Sequence, residues 1–510
     1  MGIYTGTAGH DTIVPNEVSA GVTADPPGSK PSDGDDQIYG MGGNDYLDGG
    51  TGGDTISGGV GDDGILDNYP EDGYGNGPNS GNLIHGDAGI DYIEITITDT
   101  GGANPVTNSA WGDAGGDSVY LVYRQAGASQ SKWIGDRPSG TITLYGGAGK
   151  DHVGVEGVFL DLSTLDLSAT KVLLYGGADR DFLQASSFYP HDDNIPYPGN
   201  NADYLYGGPG NDTYFTFDSK DAAIEKAGEG HDDVSAINTD YALGPNIEDL
   251  SFSLFGPTRP SGFHGTGNAL DNVILGSGLN DTLDGLGGND TISGHGNGGP
   301  SYGGMGDADI IHGGAGNDLL YGGFGSDPAV QDYPDGADKL YGDDGNDRIY
   351  GQVGDDILYG GAGNDSLAGQ EDNDTLWGGA GNDHLGGGTG NDLLYGEEGV
   401  DVITGRYDAD TLSGGGGNDR FVYEDIADSK PGAANHDTIL DFAGAGAAVG
   451  DRIDLHQIDA DATTAGNQAF VFVSPTAVLK AGQLHVVAGG GTDSLVQGEV
   501  DGKAGVDFEI

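Results

Sequence analysis

From Gly342 to Val422 the chain divides, without a gap, into nine consecutive blocks of nine residues: GDDGNDRIY, GQVGDDILY, GGAGNDSLA, GQEDNDTLW, GGAGNDHLG, GGTGNDLLY, GEEGVDVIT, GRYDADTLS and GGGGNDRFV. The first position is always Gly. The sixth is always Asp: Asp347, Asp356, Asp365, Asp374, Asp383, Asp392, Asp401, Asp410 and Asp419. The eighth is always apolar: Ile349, Leu358, Leu367, Leu376, Leu385, Leu394, Ile403, Leu412 and Phe421. A fixed short period constrains the fold more than any local propensity does. One block cannot bury its apolar residue alone, so the blocks must stack on one another.

The block itself suggests its chemistry. Glycines at the first, second and fourth positions admit positive φ and close backbone approach. Such a loop can turn its carbonyls inward, and the Asp adds a carboxylate. Hard oxygen ligands suit calcium, which takes six to eight of them. Zinc would call for Cys or His, and neither recurs in the loops. One loop offers too few ligands; two loops stacked a rung apart offer enough. Two blocks, or 18 residues, make a full rung of loop, strand, loop and strand, which places Asp347 near Asp365 and Asp356 near Asp374. Carboxylates stacked about 4.8 Å apart repel one another unless a cation intervenes. Folding and calcium binding are therefore expected to be one event. The expected ligands are Asp45, Asp54, Asp63, Asp281, Asp290, Asp318 and the nine Asp residues above, with the loop glycines Gly360, Gly363, Gly378, Gly381, Gly387 and Gly390.

The period extends beyond this run. Tandem copies occupy 40–66, and isolated ones begin at 86, 112, 146, 176, 207 and, in degenerate form, 227. Tandem spacing resumes over 276–293 and 303–327. In the middle the motif Asp residues are Asp63, Asp91, Asp117, Asp151, Asp181 and Asp212, and the inserts between them alternate like strands, as in Tyr92 to Thr98. This predicts larger rungs with a turn on one side only. Four segments follow: N-terminal repeats over 1–85, longer rungs over 86–270, a regular roll over 271–422 and a β-rich cap over 423–510. Capping is expected because an open solenoid end exposes strand edges.

Composition sets the outer limits. The chain has 510 residues, with 82 acidic against 18 basic, 102 Gly and no Cys. A net charge of −64 excludes nucleic acid and disfavours anionic membranes, and it favours a multivalent cation. Without the period, such a composition would read as disordered, and the chain is expected to be disordered when calcium is absent. No apolar run is long enough to span a membrane. The first residues have neither a basic start nor an apolar core, so an ordinary signal peptide is not expected.

The blocks resemble the GGxGxDxUx nonapeptide of the RTX (repeats-in-toxin) calcium-binding family. That resemblance implies an all-β, right-handed parallel β-roll or β-helix solenoid holding multiple Ca2+ ions. The tail resembles the C-terminal region that follows the roll in serralysin-type proteases. The matching residues are Asn418 to Tyr423, Asp437 to Phe442, Asp451 to Leu455 and Val506 to Ile510. The resemblance implies type I secretion machinery as a partner during export and an extracellular or cell-surface location. Several positions depart from the pattern: Asp372 and Asp408 replace the fourth Gly, Asn272 replaces an Asp, and Lys503 interrupts an acidic loop over Glu499 to Lys503.

No enzyme is expected. H-E-x-x-H is absent, since none of the twelve His is followed by Glu. His231 and His384 sit at variable loop positions and read as solvent-facing. Tyrosines at the ninth position, such as Tyr350, Tyr359 and Tyr395, read as outer-face cover or as a ladder meeting another subunit or a polysaccharide. The expected role is structural: a surface-layer, adhesive or matrix component, with self-association or a cell-surface polysaccharide as the partner. The alternative is a secreted carbohydrate-active enzyme (polysaccharide lyase, epimerase or hydrolase) with its site on rungs 86–270, where Arg124, Lys132 and Arg137 make 120–140 unusually basic.

Overall fold

The computed structural model describes residues 2–15, 17–27, 30–31, 34–50, 52–67, 82–99, 105–125, 139–159, 170–190, 197–198, 202–254, 261–295, 307–323, 336–432, 436–443, 450–460, 469–476, 478–488, 494–501 and 506–510. Lys132 and Arg137 lie outside these residues, as does the side chain of Arg124. Among the described residues there are strands and no α-helix, so no helix is long and apolar enough to cross a membrane. The chain forms two compact units, Met1–Pro260 and Ser261–Ile510.

Each unit is a parallel β-roll made of two sheets. In the second unit one sheet stacks His264–Thr266, Thr282–Asp284, Ile310–Ala315, Lys339–Asp344, Ile357–Ala362, Thr375–Ala380, Leu393–Gly399, Thr411–Ser413 and Thr438–Ile439. The other takes the alternate strands, from Val273–Leu275 through Ser366–Glu371 to Arg452–Asp454. Consecutive nonapeptides therefore feed opposite sheets, and residues 18 apart pair in register, as Leu358 with Leu376 and Ile349 with Leu367.

The alternation of side chains along a strand explains why one apolar residue per block suffices. The eighth position points inward, and Leu358, Leu376, Ile403 and their counterparts are buried. The seventh and ninth positions are more exposed. At the ninth, rings lie over one another along the roll: His312, Tyr341, Tyr359, Trp377 and Tyr395 stack at 4.4–5.7 Å with their planes nearly parallel. The first unit repeats this arrangement with His85, Trp111, Tyr145, Tyr175 and Tyr206.

The first unit also has the longer rungs. Tyr92–Asp99 pairs in parallel with Ser118–Gln125, and Pro105–Ala114 with Ser139–Ala148. In the second unit the roll runs past residue 422 through Thr438–Ile439 and Arg452–Asp454. A four-stranded sheet over Val471–Phe472, Gln483–Ala488, Ser494–Glu499 and Phe508–Glu509 ends the chain. Its last strand returns to Ser429, whose backbone carbonyl accepts the Glu509 N–H at 3.2 Å.

Candidate metal centres

The motif carboxylates form ladders. Each Asp N–H donates to Oδ1 of the motif Asp one rung further on: Asp347 to Asp365 at 2.8 Å, Asp365 to Asp383 at 2.8 Å and Asp383 to Asp401 at 2.9 Å. A second ladder links Asp356, Asp374, Asp392 and Asp410. The 18-residue stacking is thus present, and every expected Asp ligand is buried. In the first unit a ladder runs from Asp11 through Asp45, Asp63, Asp91, Asp117, Asp151, Asp181 and Asp212 to Asp232, across steps of up to 34 residues. The other edge does not end where the motif is lost. Asp54 donates to Asn82 and Asn82 to Asn108, so amides continue the ladder without the charge.

The second oxygen matters more. Oδ2 of Asp45, Asp63, Asp290, Asp318, Asp347, Asp365, Asp374, Asp383, Asp392, Asp401, Asp410 and Asp419 is buried and accepts no hydrogen bond from the described residues. A buried carboxylate oxygen left in this way is costly. It faces the first glycine of its own loop. A Cβ on Gly378 would stand 2.6 Å from Asp383 Oδ2 and 2.8 Å from the Gly396 carbonyl oxygen. Gly360 and Gly387 meet Asp365 and Asp392 in the same way. At the fourth position, a Cβ on Gly363, Gly381 or Gly390 would overlap a carbonyl oxygen of the preceding rung. These loops are therefore cradles walled by carbonyl and carboxylate oxygens, with no room for a side chain at the glycines named. This donor set fits a hard oxygen-seeking cation such as calcium.

The electrostatics agree. Burial pushes Asp374 up to about 9; the Asp356 N–H opposes this, and the carboxylates of Asp356 and Asp392 add to it. Burial likewise raises Asp410 to about 8, Asp347 to about 7 and Asp383, Asp392 and Asp401 to about 6. Without a cation these groups resist ionisation.

Not every loop is alike, and the second position marks several that differ. In the cradle loops it has positive φ even where it is not glycine: Met41 (82°), Leu286 (69°), Gln370 (91°), Glu397 (74°) and Arg406 (79°). Such backbone is strained and recurs at ligand clamps. Thr7, Asn268 and Ser277 do not have positive φ. There the second-position N–H turns onto the sixth side chain. Thr7 donates to Asp11 Oδ2 at 2.6 Å, Ser277 to Asp281 Oδ2 at 2.5 Å, and Asn268 to Asn272 Oδ1 at 2.8 Å. The Ser277 hydroxyl adds a bond to Asp281 Oδ2 at 3.0 Å. Asp281 thus stands apart from the other expected ligands: it joins the ladder, but both its oxygens already accept hydrogen bonds.

Several ladder members escaped sequence reasoning. Asp11, Asp36, Asp309 and Asp338 hold the sixth position with an altered or interrupted glycine frame. Asp437 and Asp451 carry the ladders beyond residue 422. The retained signal is an Asp two residues before an apolar one. A second ladder at the fifth position was also missed. Asn346, Asn364 and Asn382 each donate N–H and Nδ2–H to the amide oxygen one rung earlier, at 2.7–3.1 Å. His231 and His384 are exposed, as expected.

A family model of RTX calcium-binding nonapeptide repeats, in four copies, matches residues 32–65, 199–216, 266–297, 304–327, 335–367, 359–394 and 386–421. Repeats of this kind bind calcium ions, several per array. No curated protein matches the chain.

Proposed function

Because this chain carries the calcium-binding nonapeptide repeats of the RTX family, we infer that it is a secreted protein whose rolls are completed by calcium, and that it serves as a structural component rather than an enzyme. One observation carries the calcium reading: ladders of buried carboxylates, among which Asp347, Asp365, Asp374, Asp383, Asp392, Asp401, Asp410 and Asp419 each turn an oxygen that accepts no hydrogen bond from the described residues into a glycine cradle. The ligand loops are those with positive φ at position two; the loops of Asp11, Asn272 and Asp281 bind no ion. Residues 423–510 serve export through type I machinery, and low calcium inside the cell keeps the chain unfolded until it is outside. The role is that of a surface-layer, adhesive or matrix component.

The aromatic ladders support this role over polysaccharide stacking. A sugar packs its C–H face on an open ring face. Here the rings cover one another's faces, at 4.6–5.2 Å in the first unit, and leave mainly edges outward. They stabilise the roll instead. A shallow groove of about 430 Å3 crosses the glycine floor at 386–388, lined by Tyr350, Gln370, Arg406 and Tyr407. No carboxylate lines it, whereas glycoside hydrolysis uses a pair. This groove suits binding more than turnover.

Calcium titration of the full chain, followed by circular dichroism and light scattering together, tests the proposal. Folding with growth of large particles supports a self-assembling matrix role. Folding to a monomer that cleaves a polysaccharide would overturn it in favour of an enzyme on rungs 86–270. Deleting 423–510 is expected to abolish export, and normal secretion would refute that assignment.

A further inference from the structure

One loop of the first unit departs from the others. Tyr204, Leu205 and Tyr206 pair with Ala222, Ala223 and Ile224. Gly207, the first residue of its loop, is therefore matched in the next rung by Glu225. A regular repeat has glycine there, because a side chain would run into the motif Asp. Glu225 instead folds its carboxylate into the cradle. Oε1 accepts the hydroxyl of Tyr214 and, at 3.3 Å, the N–H of Gly208. Tyr214 holds the inward eighth position, which is aliphatic in most other repeats, and its hydroxyl oxygen accepts the Gly207 N–H at 2.9 Å. A Cβ on Gly207 would overlap Asp212 Oδ2, Tyr214 Oη and Glu225 Oε1 together, so these oxygens converge on one spot.

The rungs on either side supply the rest. Asp212 donates its N–H to Asp232 Oδ1 at 2.8 Å. Oδ2 of Asp212, Oδ2 of Asp232 and Oε2 of Glu225 are buried and accept no hydrogen bond among the described residues. One oxygen from each carboxylate lies within 4.8 Å of the other two. The side chains are 0%, 1% and 6% exposed for Asp212, Asp232 and Glu225. Three buried acids share one cradle, where a regular pair of loops brings two.

We propose that Asp212, Glu225 and Asp232 form a three-carboxylate cation site, in which Glu225 adds a third acid to the motif Asp residues of two adjacent rungs, and that it takes calcium more tightly than the regular repeat loops do. The all-oxygen donor set excludes a preference for zinc, and the dry, irregular cradle suits calcium over magnesium, which keeps its waters. Affinity follows from charge: calcium sites are tuned by the number of acidic ligands, and a third carboxylate adds attraction where solvent screening is weak. Tyr214 fixes the Glu225 rotamer, which makes it a positioning residue. The identity of the ion rests on the calcium reading of the repeats, but the site itself does not.

The test uses the full chain and two variants, E225Q and E225G. E225Q keeps the shape and the bond from Tyr214 but removes the charge. E225G restores the first residue of a regular loop, so it remains informative if E225Q folds poorly. Calcium binding is followed by calorimetry, and terbium is added as a luminescent probe that tyrosine sensitises. The wild-type chain is expected to bind one ion first and tightest. In both variants that ion should bind roughly ten-fold more weakly or be lost, while the remaining stoichiometry and the calcium-induced β signal persist. Y214F is expected to weaken the same ion and to dim its terbium emission. An unchanged first binding step in E225G would overturn the proposal while leaving the repeat sites intact. A wild-type chain that bound no calcium at all would overturn the repeat reading as well.

Discussion

Removing calcium at neutral pH is expected to unfold the rolls, and the magnitude follows from the buried acids. Between Gly342 and Val422 nine motif carboxylates are at most 2% exposed. An ionised carboxylate buried without compensation costs several kcal/mol even after relaxation. Over nine groups the cost is on the order of tens of kcal/mol, set against a total stability of about 5–15 kcal/mol for an ordinary domain. The metal-free roll therefore cannot stay folded with these groups ionised. It must unfold or take up protons. The sign of the pH dependence follows. The folded-state values are raised from 3.8 to between about 6 and about 9 in Asp347, Asp374, Asp383, Asp392, Asp401 and Asp410. A raised folded value means that folding binds protons. The contribution is complete below about pH 4 and is lost as pH climbs through about 6 to 9. Far-ultraviolet circular dichroism of the chelated chain should show little β structure at pH 8 and recover it on acidification towards pH 4–5. With calcium the signal should persist at pH 8, each site contributing about 2.7 kcal/mol when free calcium is a hundred times its Kd. A chelated chain that keeps its full β signal at pH 8 would refute the reasoning.

Other substitutions separate the parts of a loop. D383N keeps Oδ1 for the Asp365 N–H but removes the charge at the cradle, so calorimetry should show weakened calcium binding on that edge while the apo chain loses nothing; equal titrations would count against Asp383 as a ligand. D290N should behave like D383N, whereas D281N should leave the calcium titration unchanged, because Ser277 already satisfies Asp281. G363A places a methyl group on the Gly345 carbonyl oxygen and should cost about 3 kcal/mol or more, lowering the calcium-loaded melting temperature. G386A, whose Cβ would lie 3.9 Å from the Leu367 carbonyl oxygen, should melt close to wild type and serves as the control.

The period alone predicts much of this protein. Nine-residue spacing with one apolar position fixes the two-sheet roll, the 18-residue stacking and the burial of Leu358, Leu376 and their counterparts, because side chains must alternate along a strand and like rungs must pair. The Asp at position six and the glycines around it point to calcium, since these residue types fit hard-cation chemistry and little else. The extent of the ladders does not follow from the period. Asp36, Asp309 and Asp338 join them although their glycine frame is altered or interrupted, and Asn82 and Asn108 continue an edge with no charge at all. The acceptor that matters there is one side-chain oxygen, which Asn supplies as well as Asp. Which loops leave a carboxylate oxygen open shows only in three dimensions: Gln370 and Ser277 occupy the same place in their blocks, yet Gln370 has positive φ and its loop opens its carboxylate to the cradle, while the Ser277 loop closes on it. Glu225 is the extreme case. In the sequence it is one acid among 82; register with Gly207 turns it into a third carboxylate at a buried spot, because pairing across rungs, not proximity along the chain, decides which oxygens meet.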